Sequence, residues 1–395
     1  MNHIFGAGST GIRQEIEDLP FSPIREIVRT VVDRNDIIPF WFGEPDVSTP
    51  DFIRNAAKDS LDREETFYAP NSGIMLLREA IAGYMNGLYG KQLSPSNITV
   101  SASGMNALMI VAETLIRSGS RVVVLAPSWP NIPAVQEILG AEIIRVSMSL
   151  QDQGWGLDMD HLMDACDSNT SAIVINSPNN PSGWMMKTED QQALLEQARQ
   201  LGTWSVSDEV YARITYGSDR ATSFCDLTEE EDRIIVVNSF SKSWAMTGWR
   251  LGWITAPANL ESQFEKLTEY NIAGPPPFVQ HAGITALKEG ESFIRESRMR
   301  YQKRRDRLGE WAKSQPRLVY ASPEAAFYAF FEIRDATNSL GMAKDLLRKK
   351  GIGLAPGCAF GPEYDSFLRL CIATSAERLE SVSYTHLRAH ETRHD

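Results

Sequence analysis

The sequence predicts an α/β protein: a large, doubly wound, mainly parallel sheet domain with a smaller α+β domain beside it. Two observations carry this. Between residues 98 and 239, short apolar runs alternate with amphipathic stretches of helical period, as in strands joined by crossover helices. Several of the runs are continuous, such as Val122-Val123-Val124 and Ile234-Ile235-Val236-Val237. Strands buried on both faces of a parallel sheet have that composition.

In chain order, residues 1–45 read as an arm plus a helix that packs with the C-terminal part. The large domain spans 46–288, with strands at 98–101, 121–126, 142–146, 172–176, 204–207 and 233–239 and helices including 106–117 and 188–201. The smaller domain spans 289–381. It opens with a charged amphipathic stretch at 289–314, then strand-rich sequence at 318–333, a helix at 340–349 and short strands near 353–355 and 368–372. A last helix begins at 376–381, after which apolar periodicity fails. Residues 382–395 read as a non-native tail, because Ser383-Tyr-Thr-His-Leu-Arg-Ala-His-Glu-Thr-Arg-His-Asp395 resembles a translated sequencing adapter. His386, His390 and His394 share a four-residue spacing that suits a metal. The foreign character of the tail outweighs that reading, and no metal site is expected.

The 395 residues fit two or three domains at roughly 150 each. Apolar residues make up 43% and charged residues 23%, which excludes a disordered chain. No apolar run approaches the roughly 18 residues of a membrane span. The opening Met1-Asn2-His3 lacks the basic and apolar segments of a signal peptide. Lys and Arg number 39 against 51 Asp and Glu, a net charge of −12. That excludes a general affinity for DNA, RNA or an acidic membrane surface. Cys166, Cys225, Cys358 and Cys371 are far apart and lack zinc spacing, so reduced thiols in a cytoplasmic protein are expected.

The sharpest stretch is Asn238-Ser-Phe-Ser-Lys-Ser-Trp-Ala-Met-Thr-Gly-Trp-Arg-Leu-Gly-Trp253. A lone lysine after a strand is ordinary, but Lys242 sits among small hydroxyl residues. A desolvated amine there has a lowered pKa and forms Schiff bases. Ser239, Ser241 and Arg250 are near enough in sequence to hold an anion beside it. The turn Ser101-Ala-Ser-Gly-Met-Asn-Ala-Leu108 joins a strand to a helix. It is either a simple capped turn or a phosphate grip of helix N-terminal amides. Trp129, after the next strand, is either core or a ring that stacks on a planar ligand.

Asn176-Ser-Pro-Asn-Asn-Pro-Ser-Gly183 is a rigid turn after a strand, with Asn180 able to donate to a phenolate oxygen. Ser207-Asp-Glu-Val-Tyr211 ends a strand with two carboxylates. A buried Asp208 needs a cationic partner, and a pyridinium N–H serves. Arg369, in the apolar run Phe367-Leu-Arg-Leu-Cys371, has the planar fork that suits a carboxylate.

In this order, these motifs resemble the fold-type I pyridoxal-phosphate aminotransferases, specifically the aspartate aminotransferase-like class I/II family. The resemblance covers residues 20–380. It implies that Lys242 forms the Schiff base with pyridoxal 5′-phosphate and moves protons between Cα and C4′. It implies that Asp208 keeps the pyridine nitrogen protonated, that Tyr211 and Asn180 bind the 3′-oxygen, and that Trp129 stacks on the ring. Ser103, Gly104, Met105, Ser239, Ser241, Lys242 and Arg250 fall at cofactor-binding positions. Arg369 matches the clamp on the substrate α-carboxylate, helped by the Gly43 backbone in Gly43-Glu-Pro-Asp46, with Trp129 and Asn180 also beside the substrate. Tyr68 resembles the tyrosine that reaches the neighbouring subunit's phosphate, which implies a homodimer.

Two departures stand out. Met105 replaces a lysine that some aspartate enzymes use for the distal carboxylate, and the arginine that another branch supplies from the partner subunit has no match placed in this sequence. Aspartate is therefore expected to turn over with weak preference over neutral or aromatic donors. Trp41, Phe42, Trp129 and Phe327 either line an apolar side-chain pocket or belong to the core. In Pro323-Glu-Ala-Ala-Phe-Tyr328, Ala325 replaces the family's glycine.

The activity implied is a ping-pong transfer of an amino group from an L-amino acid to a 2-oxo acid. A β-lyase of the same fold shares the cofactor-binding residues. A cofactor-sensing regulator would need a DNA-binding domain ahead of Gly43, where no room is left, and an inactive binding protein would be expected to lose Lys242 or Asp208.

Overall fold

The structure, a computed structural model, describes residues 11–31, 34, 36–229 and 231–381. The tail at 382–395, with its three histidines, lies outside the described residues.

Seven strands form the large sheet: β1 (Ile98–Ser101), β2 (Arg121–Ala126), β3 (Glu142–Ser147), β4 (Thr170–Asn176), β5 (Trp204–Asp208), β6 (Ile234–Ser239) and β7 (Gly252–Thr255). Their spatial order is β1-β7-β6-β5-β4-β2-β3. Neighbours are parallel except that β7 runs antiparallel between β1 and β6. The β-branched runs are explained by burial on both faces. Val123 and Leu125 join one core, while Val122 and Val124 join the core on the opposite face. Each such side chain contributes about 1.5–3 kcal/mol of burial.

The four-residue β7 was not expected, because Gly252-Trp-Ile-Thr255 is short and lies inside the lysine motif. Also unexpected was the small hairpin pairing Ser149–Gln151 with Gly154–Gly156. Helix ends shifted where caps decide them. The helix expected at 106–117 is α1 (Gly104–Leu115), because the Ser103 hydroxyl accepts from the Asn106 amide and caps it. The charged stretch expected at 289–314 is the helix Glu291–Lys313, separated by Gly290 from Pro277–Glu289.

A second, antiparallel sheet contains β8 (Leu318–Val319), β9 (Tyr328–Ile333), β10 (Ala355–Pro356) and β11 (Phe367–Cys371), in the order β8-β9-β11-β10. The N-terminal helix Pro23–Arg29 buries Ile24 and Ile27 in the same core as Tyr328, Phe330 and Leu368. Ile38–Pro39 pairs in parallel with Ile352–Gly353. The segment that follows, Trp41-Phe42-Gly43, is thereby tied to the second sheet and reaches the carboxyl ends of the first. No described helix is long and apolar enough to cross a membrane.

Candidate active site

Five parallel strands end at one rim, and each hands the chain to a functional turn. β1 leads to Ser103-Gly104-Met105, β2 to Trp129, β4 to Asn180, β5 ends on Asp208, and β6 leads to Lys242. Ligands bind at such carboxyl ends in open α/β sheets. Gly43, Gly104, Met105, Trp129, Asn180, Asp208, Tyr211, Ser239, Ser241, Lys242, Arg250 and Arg369 line one cavity of about 530 Å³. That is the size of a small-molecule site.

Two expected residues stand apart. Ser103 is the helix cap just behind the wall, and Tyr68 is 94% exposed and outside the cavity. Of the aromatic candidates, Trp41, Phe42 and Trp129 line the cavity, whereas Phe327 is fully buried in the core.

The turn after β1 is built for close approach. Asn106 Oδ1 accepts from the Ala102 amide at 3.1 Å, and the Ser101 hydroxyl donates to the Ser103 carbonyl at 3.0 Å. The N-terminus of α1 therefore opens into the cavity at Gly104 and Met105, on a wall shared with Ser239, Ser241 and Arg250. A helix N-terminus beside a guanidinium favours an anion. Gly252, on β7, makes this possible. A Cβ there would lie 2.7 Å from the Gly104 nitrogen and 2.8 Å from the Asn238 carbonyl. Sequence reading gave Gly252 no role; its pairing with both Ser101 and Ser239 supplies one.

Burial sets the charges. Asp208 has no ion-pair partner among the described residues, and its Oδ1 accepts from the Val210 amide at 3.2 Å. Desolvation pushes its carboxyl up to about 7, against the pull of that amide and of Lys242. Lys242 Nζ donates to the Gly43 carbonyl at 2.6 Å. Desolvation brings its pKa down to about 8, with Arg369 and Arg250 adding to the fall. Relative to an ordinary lysine, the fall favours the neutral amine.

Arg369 is buried at the centre of the second sheet. Its Nη1 donates to Asn180 Oδ1 at 2.7 Å, its Nη2 donates to the Trp41 carbonyl, and its Nε has no partner. The bond to Arg369 leaves the Asn180 amide nitrogen as a donor. Asn180 is itself fixed, since its backbone N–H donates to Asn176 Oδ1 at 2.7 Å and Asn176 Nδ2 donates to the Asp208 carbonyl at 3.0 Å.

Two further residues were missed in the sequence. The Tyr328 and Tyr211 hydroxyls are 2.5 Å apart, so Tyr211 already has a partner within the chain. Tyr328 also explains Gly43, where a Cβ would fall 1.6 Å from the tyrosine oxygen. In the same motif the left-handed residue is Ala326, at φ 58°, rather than Ala325. The second missed residue is Arg25, which lines the cavity from the N-terminal helix with its guanidinium 4.8 Å from the Phe42 ring centroid. Nothing in an exposed helical arginine marks it as a site residue before folding.

This set fits pyridoxal phosphate. A buried carboxylate without a cation suits a ring N–H⁺, a desolvated lysine suits its aldehyde, and a helix N-terminus with Arg250 suits its phosphate.

Comparisons with known proteins agree with this. The sequence pattern of the family described as Aminotransferase class I and II matches residues 35–383. The probable aspartate/prephenate aminotransferase of Aquifex aeolicus is 34% identical over 351 residues, 87% of this chain and 88% of that one. The aspartate aminotransferase of Pyrococcus horikoshii is 33% identical, over 91% of this chain and 92% of its own. The solved aromatic aminotransferase from Pyrococcus horikoshii OT3 superposes with a TM-score of 0.86 at 31% identity, covering 94% of this chain and 99% of that one. With motif order, fold and cavity in accord, the chain belongs to the class I and II aminotransferases, transaminases that depend on pyridoxal phosphate.

Proposed function

We propose that the protein transfers the amino group of an L-amino acid to a 2-oxo acid in two half-reactions of a ping-pong cycle, with the cofactor held covalently by Lys242. The observation that carries this reading is the convergence of three groups on one cavity: the Lys242 amine, the buried Asp208 carboxylate with no ion-pair partner among the described residues, and Arg369 with an unpartnered Nε. When bound, pyridoxal phosphate supplies a carbonyl that accepts the amino group and a ring that withdraws electrons.

The residues divide the work. Lys242, as a neutral amine, takes and returns the substrate Cα proton. Asp208 would offset its own desolvation by facing a ring N–H⁺. Asn180 and Tyr211 would donate to the 3′-oxygen, and Trp129 would supply the aromatic face for the ring. Gly104, Met105, Ser239, Ser241 and Arg250 would bind the phosphate, with Ser103 behind them capping the helix that presents its N-terminus. Arg369 binds the α-carboxylate, which all amino acids share, beside the Gly43 backbone.

A homodimer is part of the reading. Phe67, Tyr68, Met75, Leu76 and Tyr270 are large and exposed, and they lie on neighbouring segments, since Asn71 Nδ2 donates to Glu269 at 3.3 Å and the Ile74 amide donates to Gln280. A patch of this kind fits a second copy of the chain, with Tyr68 reaching the partner's phosphate site. A monomer in analytical ultracentrifugation at micromolar concentration contradicts it. The four unpaired cysteines support a reducing, cytoplasmic setting.

The test is to mix holoenzyme with one amino acid and no acceptor. The reading predicts one equivalent of 2-oxo acid per site, then arrest until a different 2-oxo acid is added. Continuous ammonia release without acceptor identifies a β-lyase instead.

A further inference from the structure

Three consecutive residues, Trp41, Phe42 and Gly43, each meet a different cation. The Trp41 carbonyl accepts from Arg369 Nη2, the Gly43 carbonyl accepts from Lys242 Nζ at 2.6 Å, and the Phe42 ring lies 4.8 Å beneath the Arg25 guanidinium. All three cations line the same cavity. Under the transaminase reading, Arg369 takes the α-carboxylate and Lys242 the cofactor. Arg25 has no such task.

The charges on the cavity wall point to one. Its cations are Arg25, Lys242, Arg250 and Arg369, and its carboxylates are Glu44 and Asp208. Under the transaminase reading, phosphate, ring N–H⁺ and α-carboxylate would occupy Arg250, Asp208 and Arg369. Glu44 Oε1 accepts from the Thr247 hydroxyl at 2.6 Å and forms no ion pair with Arg25. Arg25 is exposed and has no carboxylate partner among the described residues. A guanidinium resting on a phenyl ring at an exposed site is weakly held. A two-pronged bond to a carboxylate is stronger and directional. Met105, at the phosphate turn, supplies no competing cation.

We propose that Arg25 is the specificity residue that reads the distal carboxylate of dicarboxylic amino donors and 2-oxo acids. The proposal rests on the transaminase reading and adds its substrate class. It also answers the expectation drawn from Met105: the cation absent from the phosphate turn enters from the N-terminal helix. With neutral donors Arg25 stays on Phe42, so these still react.

The test uses wild-type, R25A and R25K holoenzymes. Half-reaction kcat/KM is measured for aspartate and phenylalanine, and competitive inhibition for succinate and butyrate, which share a chain length and differ in the second carboxylate. For R25A, aspartate and succinate should weaken about 10- to 100-fold, the size of a lost charged hydrogen-bond pair. Phenylalanine and butyrate should stay within about 3-fold, and R25K should recover part of the acidic preference. Equal losses for both classes, or an unchanged succinate constant, overturn the role of Arg25 while leaving the transaminase reading intact. A wild-type enzyme that converts no amino acid overturns both.

Discussion

The rim of the large sheet and the segment 41–43 face each other across one cavity, yet they are assembled by different physics. At the rim, position follows from local sequence. A strand ends, the chain turns, and Asp208, Asn180 and Lys242 arrive at the carboxyl edge because parallel strands share that edge. The opposite wall is collected from afar. Arg25, Gly43, Tyr328 and Arg369 come from a helix, a loop and two strands of the second sheet, and they meet only when that sheet is packed. Under the proposed function, the reactive groups sit on rigid strand ends, while the groups that would sort substrates sit on the more composite wall.

The largest effect expected from breaking the rim is at Lys242. Lys242→Ala removes the one amine the cavity brings to Gly43, so transamination should fall by about 10⁴-fold or more. Borohydride reduction followed by peptide mass spectrometry should find the cofactor on Lys242 in the wild type and nowhere in the variant. Cofactor attached elsewhere in the chain contradicts the assignment.

Next in size is the cost of Asp208. Its carboxyl is raised from 3.8 to about 7, so the folded apo-protein binds that proton more tightly than the unfolded chain does. Its contribution to stability therefore falls as pH rises from about 4 to 7 and stays low above that window. Asp208→Asn should make the apo-protein more stable than wild type at pH 8, on the order of 2–4 kcal/mol, and equal to it near pH 4. Urea unfolding at the two pH values measures this. A variant less stable at both contradicts a buried carboxylate without an ion-pair partner at this position.

The composite wall breaks more gently. Gly43→Ala places a methyl 1.6 Å from where the Tyr328 oxygen now lies, so either the tyrosine or the segment must move. The expected loss is about 1–3 kcal/mol of stability, with a raised KM for every donor as the Trp41 and Gly43 carbonyls shift away from Arg369 and Lys242. An unchanged KM in urea-stable protein contradicts the tight fit of this segment.

The same contrast explains what was legible in the sequence. The strand-end residues were readable because Trp129, Asn180 and Lys242 follow β-branched runs and Asp208 is an acid closing a short strand, and the cavity lining includes all four. Arg369 was readable because an arginine inside Phe367-Leu-Arg-Leu-Cys371 needs a reason to be there. Tyr328 and Arg25 were not. A tyrosine at the start of an apolar strand and an arginine on an amphipathic helix have ordinary explanations, and their contacts with Tyr211 and Phe42 span long sequence separations. Gly252 was hidden for another reason. Its need for no side chain comes from the backbone of Ser103 and Gly104, some 150 residues earlier and adjacent only across the sheet. Tyr68 stays outside the cavity of its own chain.

The central claim is that the rim performs the chemistry and the opposite wall holds the substrate. The most direct measurement is a single-turnover half-reaction with varied aspartate on Asp208→Asn and Arg369→Leu holoenzymes. The predicted result is a split. Asp208→Asn lowers the limiting rate by about 100-fold or more with the dissociation constant within about 3-fold. Arg369→Leu raises the dissociation constant by about 10-fold or more for aspartate and neutral donors alike. The same pattern in both variants, or the reverse one, contradicts the division of labour.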